Sequence, residues 1–244
     1  CGLLSKIVPR KIIYCSERSI NFHEKNHFDS KNKTSLIYNG YSDKTYFPAT
    51  QLRLNFRQKY KMHNSDIIIG YAGRYAKQKN IDEMLLAFSK IAKNKNNIYL
   101  CMVGRNINQK NKELTFNIKN LKINKKVFFL NEQKNLLKFY NGIDFLLSTS
   151  HSESFPNVIA ESMLCSTPVL SSDAGCSKKI INSFGFVMKN NDNKSIYKNL
   201  KKTIYFLKYK KKEWKFFKKH SRIQIKKNFS IPNMANTYVK NWVF

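Results

Sequence analysis

One stretch of this sequence predicts the architecture around it: His151-Ser-Glu-Ser-Phe-Pro-Asn-Val-Ile-Ala-Glu-Ser-Met-Leu-Cys-Ser-Thr-Pro-Val-Leu170. The apolar run Phe145-Leu-Leu before it predicts a short buried strand, and Pro156 is typical of the first residue of a helix. Pro168-Val-Leu begins the next strand. A strand, a turn, a helix and another strand form the repeating unit of a parallel α/β sheet, so we expect a sheet of that kind.

Two carboxylates, Glu153 and Glu161, flank this helix start in a chain with only 15 acidic residues against 45 basic ones. Helix starts at the carboxyl ends of strands are where open α/β sheets bind ligands, and their free N–H groups attract phosphate. Glu161 lies about one and a half turns into the helix, and its side chain leans back toward the N-terminus. Because a carboxylate that faced phosphate would repel it, its natural partners are hydroxyl groups. The stretch therefore predicts a site for a sugar joined to a diphosphate.

Further segments continue this pattern along the chain. They are, in order, Ile37-Tyr-Asn-Gly-Tyr-Ser-Asp-Lys-Thr-Tyr-Phe-Pro48, Gly70-Tyr-Ala-Gly-Arg-Tyr-Ala-Lys-Gln-Lys-Asn80, Val127-Phe-Phe-Leu130, Asp173-Ala-Gly175 and Gly185-Phe-Val187. Together they resemble the retaining glycosyltransferases of the large family 4 type, in which two Rossmann-like domains face each other across a cleft (the GT-B architecture). In that resemblance the first segment joins the two domains, the second is a glycine- and arginine-containing phosphate loop, and the third leads to the nucleobase pocket.

The resemblance implies an α/β fold with a Rossmann-like parallel sheet and helices on both faces, the C-terminal half of a GT-B fold. Residues 1–58 correspond to the remnant of an N-terminal acceptor-binding domain and the interdomain segment. Residues 59–207 correspond to the nucleotide-sugar-binding domain, and residues 208–244 to C-terminal helices that cross back toward the first domain. Since the chain begins at Cys1 within an ordered-looking pattern, we expect a fragment in which the N-terminal domain is largely missing and which is inactive alone.

By resemblance, the catalytic residues are Glu153, Arg74 and Lys79. Arg74 and Lys79 hold the β-phosphate of the donor and stabilise the charge that grows there as the glycosidic bond breaks. Glu153 contacts a hydroxyl of the donor sugar and favours the positive charge that develops at the anomeric carbon. Glu161 accepts hydrogen bonds from the ribose hydroxyls.

The other expected donor-binding residues act through the backbone or through shape. Gly73 allows a close approach, Leu130 ends the strand toward the nucleobase, and backbone N–H groups reach the diphosphate. The candidate N–H donors are Phe155, Asn157 and Val158, since Pro156 has none. No Asp-x-Asp motif occurs in the sequence, so we expect no metal and no cofactor. The donor is expected to be a UDP- or GDP-linked sugar.

These residues also have ordinary interpretations. Arg74 and Lys79 are two of 45 basic residues and could be solvated. Glu153 could be a favourable acid near a helix N-terminus, and Glu161 could lie on a helix surface. The sequence also departs from the family pattern: Ser154 and Ser166 stand where glycines are usual, and Lys179 stands where a glutamate is common.

The net charge of +30 suggests a nucleic-acid or anionic-membrane partner. Lysine is enriched throughout, and no zinc-ligand spacing, RNA-binding aromatic motif or helix-turn-helix is visible, so no nucleic acid is expected. Residues 208–219 form one basic-aromatic cluster around Trp214, Phe216 and Phe217. This cluster could lie on an anionic membrane, or it could be an amphipathic helix whose aromatic side chains pack on the fold.

Five cysteines without a CxxC pair favour reduced thiols and a cytosolic setting. Packing rather than reactivity is expected for Cys101 and Cys165. No apolar run reaches the roughly 18 to 20 residues of a membrane helix, so we expect a cytoplasmic protein. A peripheral position at the inner face of the membrane is the alternative that the basic-aromatic cluster leaves open.

The sequence is therefore interpreted as a glycosyltransferase that acts with retention on a glycan or lipid-linked acceptor, in the biosynthesis of a bacterial surface polysaccharide such as lipopolysaccharide or capsule. One alternative is a nucleotide-sugar epimerase of the same architecture. Another, from a different class, is a basic nucleic-acid-binding module.

Overall fold

A computed structural model describes residues 2–5, 7–28, 31–93 and 95–242. The strands are β1 (Ile12–Tyr14), β2 (Thr34–Leu36), β3 (Ile67–Ala72), β4 (Ile98–Val103), β5 (Val127–Phe129), β6 (Phe145–Ser148), β7 (Val169–Ser172) and β8 (Phe186–Met188). The helices are α1 (Gly2–Ser5), α2 (Glu17–Lys25), α3 (Thr50–Lys59), α4 (Ile81–Ala92), α5 (Lys112–Asn120), α6 (Leu137–Gly142), α7 (Asn157–Leu164), α8 (Ser177–Ile181), α9 (Asn193–Tyr209), α10 (Lys211–Asn228) and α11 (Ile231–Trp242).

Six strands form one parallel sheet in the order β5-β4-β3-β6-β7-β8. Central strand β3 is buried along its whole length because helices cover both faces of the sheet. Ile67, Ile69 and Tyr71 pack into the core on one face with α4 and α9, whereas Ile68 and Ala72 pack on the other with α6 and α7. The predicted Rossmann-like parallel sheet with helices on both faces is confirmed.

The run Phe145-Leu-Leu, predicted as a short buried strand, lies in β6, and the strand predicted from Pro168-Val-Leu is β7, which begins at Val169. The helix predicted to begin at Pro156 begins one residue later, at Asn157, because Pro156 has ψ of 87°, which is not helical. Helix α3 is absent from the sequence prediction, since an arginine takes the place of an apolar core residue. Arg57 is only 1% exposed, and Arg53 and Arg57 hold the Asp144 carboxylate at 2.7 and 2.9 Å.

The N-terminal segment contacts the main sheet's helices and loops. Strands β1 and β2 form a separate parallel pair, and Glu17 and Arg18 at the start of α2 form ion pairs with Lys179 and Asp173 at 2.7 and 3.0 Å. Asn241 of α11 accepts a hydrogen bond from Ser35 at 2.8 Å, so the last helix reaches back to β2. The predicted domain limits at 58 and 207 fall within α3 and α9 and stay predictions.

The aromatic residues of the basic-aromatic cluster are distributed between the core and the surface. Trp214 is 6% exposed and meets Phe145 edge to face, while Phe217 stacks on Phe206 at 6.2 Å between ring centroids. Phe216 is half exposed beside His220. Packing on the fold, the second alternative, therefore describes Trp214 and Phe217. Among the described residues, no helix combines the length and the apolar character needed to cross a bilayer.

Four cysteines lie in the described part of the chain, and none of these is in a disulfide. Cys101 and Cys165 are buried as predicted, and burial raises the pKa of the Cys165 thiol to about 12. Both side chains belong to the hydrophobic core on the face of the sheet that α6 and α7 cover. Cys1 lies outside the described residues.

Candidate functional site

The residues singled out by the sequence meet at the carboxyl ends of β3 and β6, which are neighbours in the sheet. Three hydrogen bonds join the loops that follow these strands. The His151 N–H donates to the Gln78 carbonyl at 2.8 Å, the Gln78 amide to Ser152 at 2.5 Å, and the Thr149 hydroxyl to the Lys79 carbonyl at 3.0 Å. The two loops therefore hold their side chains in a fixed relation to each other.

The start of α7 presents unused backbone donors at this edge. Within the described residues, no acceptor receives the N–H groups of Phe155, Asn157 or Val158, and no side chain caps the helix. Ile159 is the first residue of α7 whose N–H has an acceptor, and it donates to the Pro156 carbonyl at 3.1 Å. Unpaired N–H groups at a helix start carry a partial positive charge and favour an anion such as phosphate.

Lys79 and Glu153, predicted to contact different parts of a donor, contact each other. The Lys79 ammonium donates to the Glu153 carboxylate, and the Ser150 hydroxyl donates to the same carboxylate at 2.7 Å. Both side chains are largely shielded from water, with exposures of 20% and 15%, so the attraction is stronger than in a surface ion pair. A diphosphate that draws Lys79 away must replace this ion pair.

Arg74 is the free cation of the pair of basic residues predicted to bind phosphate. Its side chain is exposed and forms no hydrogen bond or ion pair with any residue the structure describes. The loop that carries Arg74 is held to the end of β3, because the Tyr71 hydroxyl donates to the Arg74 carbonyl at 3.2 Å. Gly73 lies so near Gly104 that a Cβ at position 104 would come within 2.1 Å of the Gly73 carbonyl oxygen. Arg74 is thus positioned by its backbone and free to bind an anion.

Glu161 faces inward more than the sequence suggests. Its carboxylate accepts a hydrogen bond from the fully buried Tyr140 hydroxyl at 2.7 Å, and the Tyr46 ring meets the Tyr140 ring edge to face. Burial raises the pKa of Glu161 above its usual value, although the phenols of Tyr140 and Tyr46 oppose the shift. The Tyr140 hydroxyl thus orients the carboxylate that the resemblance assigns to the ribose.

A pH-dependent stability difference follows from this burial. The raised pKa means that the folded chain holds the Glu161 proton more tightly than the unfolded chain, so stability is lost as pH rises through the folded-state pKa. Glutamine carries no charge. We expect the stability of Glu161→Gln relative to the unmodified chain to increase from pH 4.5 upward and then level off.

Urea unfolding at a series of pH values measures this difference. Glu213→Gln, which removes an exposed carboxylate from α10, is the matched control and should show a much smaller pH dependence. A constant stability difference across the pH range for Glu161→Gln would contradict the inward-facing carboxylate.

The turn after Glu153 rests on the loop after β7. Gly175 has φ of +57°, and a Cβ there would lie 2.2 Å from the Glu153 carbonyl oxygen, so only glycine permits this contact. Asp173 in the same loop is held by Arg18. Lys179 donates to Glu17 at 2.7 Å and lies over the Tyr38 ring. Lys179 stands where the resemblance leads us to expect a glutamate, and its ion pair with Glu17 attaches α2 of the N-terminal segment to α8.

Ser166, which stands where the family pattern usually has a glycine, lies just after the C-terminus of α7. Ser166 has φ of +57°, its N–H donates to the Met163 carbonyl at 3.0 Å, and the Thr167 N–H donates to the Ser162 carbonyl at 3.0 Å. These two bonds are those of a Schellman motif, whose left-handed residue is usually glycine. A serine here bears a steric cost that glycine avoids.

Ser166→Gly is therefore expected to stabilise the chain by about 0.5–1 kcal/mol, the left-handed penalty less the extra entropy of glycine in the unfolded chain. Thermal unfolding measures the change. Ser166→Ala keeps the Cβ and is the control; an equal gain from alanine would show that backbone conformation is not the cause.

The remaining predicted donor-binding residues differ in their surroundings. The exposed Asn157 side chain accepts hydrogen bonds from Tyr41 at 2.5 Å and Asn39 at 3.1 Å, which ties the interdomain segment to the start of α7. The Phe155 ring is buried against Tyr41, so only its backbone faces the edge. Leu130 is buried and lines a cleft of about 190 Å³.

The structure thus joins Lys79 to Glu153, which shortly precedes the start of α7. Arg74 lies in the loop that follows β3, and Glu161 lies further along α7. Sequence patterns did not point to Ser150 or Tyr140, whose hydroxyl groups donate to the two carboxylates. Ser150 lies only three residues before Glu153, whereas Tyr140 lies on α6, 21 residues before Glu161, and no local pattern links it to that carboxylate.

A parallel six-stranded sheet with helices on both faces is the architecture of the C-terminal domain of GT-B glycosyltransferases. The family described as Glycosyl transferases group 1 matches residues 53–216, more than half of the chain, and the chain belongs to this family.

Curated relatives agree with this assignment. The capsular polysaccharide biosynthesis glycosyltransferase CapM of Staphylococcus aureus is 28% identical over 178 residues, which are 71% of this chain and 47% of CapM. The O-antigen biosynthesis glycosyltransferase WclY of Escherichia coli is 26% identical over 163 residues, 67% of this chain and 43% of WclY. The chain spans less than half the length of these relatives.

Solved structures show the same fold over almost the whole chain. A glycosyltransferase from Rickettsia africae ESF-5 superposes with a TM-score of 0.87 at 20% identity, covering 98% of this chain and 65% of that one. Alr3699/HepE of Anabaena, solved in complex with UDP and glucose, also gives 0.87, at 18% identity, covering 98% of this chain and 64% of its own.

Proposed function

We propose that the chain binds the donor of a metal-independent retaining glycosyltransferase of the family 4 type, and that the donor is a UDP- or GDP-linked sugar. The observation that carries the proposal is the convergence of Lys79, Glu153 and three unused N–H groups at one edge of the sheet. The HepE structure contains UDP and glucose, which favours UDP.

The diphosphate is proposed to bind at the start of α7. The N–H groups of Phe155, Asn157 and Val158 donate to its oxygens, and Arg74 supplies a charge that no group among the described residues neutralises. As the bond to the sugar breaks, negative charge grows on the β-phosphate, and fixed donors already in place stabilise it without further reorganisation.

Donor binding is proposed to exchange one partner of Lys79 for another. Before the donor binds, Lys79 neutralises Glu153. When Lys79 moves to the β-phosphate, Glu153 is released toward the sugar, where its negative charge favours the developing charge at the anomeric carbon. The exchange makes the carboxylate available only when the diphosphate is present.

The acceptor is proposed to be a glycan or a lipid-linked glycan of a bacterial surface polysaccharide, because CapM and WclY act in capsule and O-antigen biosynthesis. A cytoplasmic site at the inner face of the membrane suits such an acceptor. Membership of the glycosyltransferase family favours this interpretation over the epimerase and nucleic-acid alternatives.

Thermal stabilisation by a panel of UDP-, GDP- and other nucleotide-linked sugars tests the proposal. A ligand present at 100 times its dissociation constant should raise the free energy of unfolding by about 2.7 kcal/mol. Stabilisation by one nucleotide class and not by the corresponding free sugar is expected. Indifference to every nucleotide sugar, combined with binding to duplex DNA, would contradict it.

Metal independence gives a separate prediction. The described residues contain no group of three or more His, Cys, Asp or Glu side chains placed to hold a metal ion, and Arg74 and Lys79 are proposed to supply the positive charge instead. Binding of the donor should therefore be unchanged, within about twofold, when EDTA is added or Mg²⁺ is supplied. Calorimetry of UDP binding in the two buffers is the measurement, and strict dependence on added Mg²⁺ or Mn²⁺ would overturn the prediction.

A further inference from the structure

A cavity of about 740 Å³ lies at the opposite, amino-terminal edge of the sheet, away from the proposed donor site. Three neighbouring central strands start at its floor: Ile67 begins β3, Asp144 directly precedes β6, and Thr167 lies just before β7. The volume is that of a small-molecule site. Nothing in the proposed donor chemistry uses this cavity.

One wall of the cavity is strongly basic. Lys211, Lys215 and Lys218 lie on one face of α10 at helical spacing, and Lys208 joins them from the end of α9. Within the described part of the chain, Lys208, Lys215 and Lys218 have no side-chain hydrogen bond or ion pair. Lys211 donates to the Leu207 carbonyl at 2.9 Å, which leaves its charge uncompensated.

The acidic residues of the cavity do not balance these lysines. The Asp144 carboxylate is held by Arg53 and Arg57 at 2.7 and 2.9 Å and accepts the Ile68 N–H. Asp66 accepts the His63 N–H at 2.7 Å. The charges of Arg53 and Arg57 balance those of Asp144 and Asp66. The four lysines therefore give the cavity a net positive charge.

The surroundings of Lys218 disfavour its charged form. Its side chain is exposed but lies in a concave part of the surface, where burial by surrounding atoms and the charge of Arg53 lower its pKa and the charge of Asp144 opposes the shift. An ammonium group crowded by like charge gains more from an anion than an isolated surface lysine does. The start of α3 also lines the cavity at Ala49 and Thr50. The Ala49 N–H donates to the Asn141 side chain at 2.6 Å, and the remaining N–H groups of the first turn, which have no side-chain cap from the helix start, add a partial positive charge.

We propose that this lysine-lined cavity binds a compact polyanion with phosphate groups, separately from the donor site. Lysines arranged as point charges around a pocket of this size suit a pyrophosphate or a bisphosphorylated group. Such a group could be carried by a soluble metabolite or by the headgroup of a lipid. The proposal rests on the cavity alone and stands whether or not the donor assignment is right.

Calorimetric titration with inorganic pyrophosphate tests the proposal on the complete chain. Lys215→Gln with Lys218→Gln removes two charges from the cavity wall, and Lys212→Gln with Lys219→Gln removes two exposed charges from α10 outside the cavity. The first pair should weaken pyrophosphate binding at least about tenfold, and the control pair less than about twofold. Pyrophosphate bound at the other edge of the sheet contributes equally to both variants.

Lys208→Gln, on a different helix, provides an independent variant that should also weaken binding, and circular dichroism verifies the fold of all three. Equal losses in the cavity and control pairs, or no pyrophosphate binding by the unmodified chain, would overturn the proposal.

Sedimentation with vesicles distinguishes the two sources of phosphate. Binding to cardiolipin vesicles, in which each headgroup carries two phosphates, that depends on Lys215 and Lys218 but not on Lys212 and Lys219 supports a lipid headgroup. Pyrophosphate binding that depends on the cavity pair, together with vesicle binding indifferent to it, supports a soluble ligand. If neither probe distinguishes the two pairs, the cavity is not an anion site.

Discussion

Replacing Arg74 and Lys79 together by glutamine is expected to lower the affinity of the chain for UDP by about 100-fold or more. A hydrogen bond to a charged group contributes about 1.5–3 kcal/mol, and 1.4 kcal/mol is a factor of ten, so two lost contacts to phosphate account for the effect. Arg74 has no other partner among the described residues, so its full contribution goes to the ligand. Loss of Lys79 also leaves the Glu153 charge unneutralised beside the diphosphate, which adds repulsion.

Calorimetric titration with UDP measures this loss. Lys119→Gln with Lys198→Gln removes the same net charge from exposed positions on α5 and α9 and should change UDP affinity less than about threefold at physiological salt. If this control pair loses as much affinity as the Arg74 and Lys79 pair, binding depends on overall charge rather than on a phosphate site.

Glu153→Gln and Glu161→Gln are expected to differ in their effects on bare UDP, since only Glu161→Gln should weaken its binding. Glu153→Gln removes the charge that holds Lys79, so Lys79 becomes available and UDP should bind as well as before or several-fold more tightly. A nucleotide sugar should lose the additional affinity that Glu153 gives it through the sugar hydroxyl, about 1.5–3 kcal/mol. Glu161→Gln should instead weaken UDP and the nucleotide sugar alike, by about tenfold, since the ribose is common to both.

Titration of each variant with UDP, GDP and the preferred nucleotide sugar measures the two effects. Ser150→Ala serves as a control, because it removes a hydrogen bond to Glu153 and keeps the ion pair with Lys79. It should affect bare UDP little. Equal losses in Glu153→Gln and Glu161→Gln for every ligand would exclude the division of roles between the two carboxylates.

Much of the fold follows from local sequence patterns. Strands such as Ile98–Val103 and Phe145–Ser148 are short apolar runs between polar turns, and sheet burial on both faces makes such runs continuous. Helix α3 escapes prediction because its buried Arg57 is paired with Asp144, 87 residues away in the chain. A pattern read along the chain records polarity but not the distant partner that makes a buried charge tolerable.

The candidate site is predictable in its members but not in their mutual contacts. The carboxyl ends of β3 and β6 must meet because the strands are neighbours, which brings Lys79 and Glu153 to the same edge. That the two form an ion pair depends on side-chain geometry that spacing does not encode. The same holds for Glu161, whose partner Tyr140 comes from a helix on the other side of β6 in the chain.

A crystal structure of the chain with UDP tests the central claim most directly. The account predicts that the β-phosphate lies within hydrogen-bonding distance of the N–H groups at the start of α7 and of Arg74, and that Lys79 has left Glu153 for the phosphate. A diphosphate bound elsewhere, including in the lysine-lined cavity, with the ion pair between Lys79 and Glu153 intact, would contradict it.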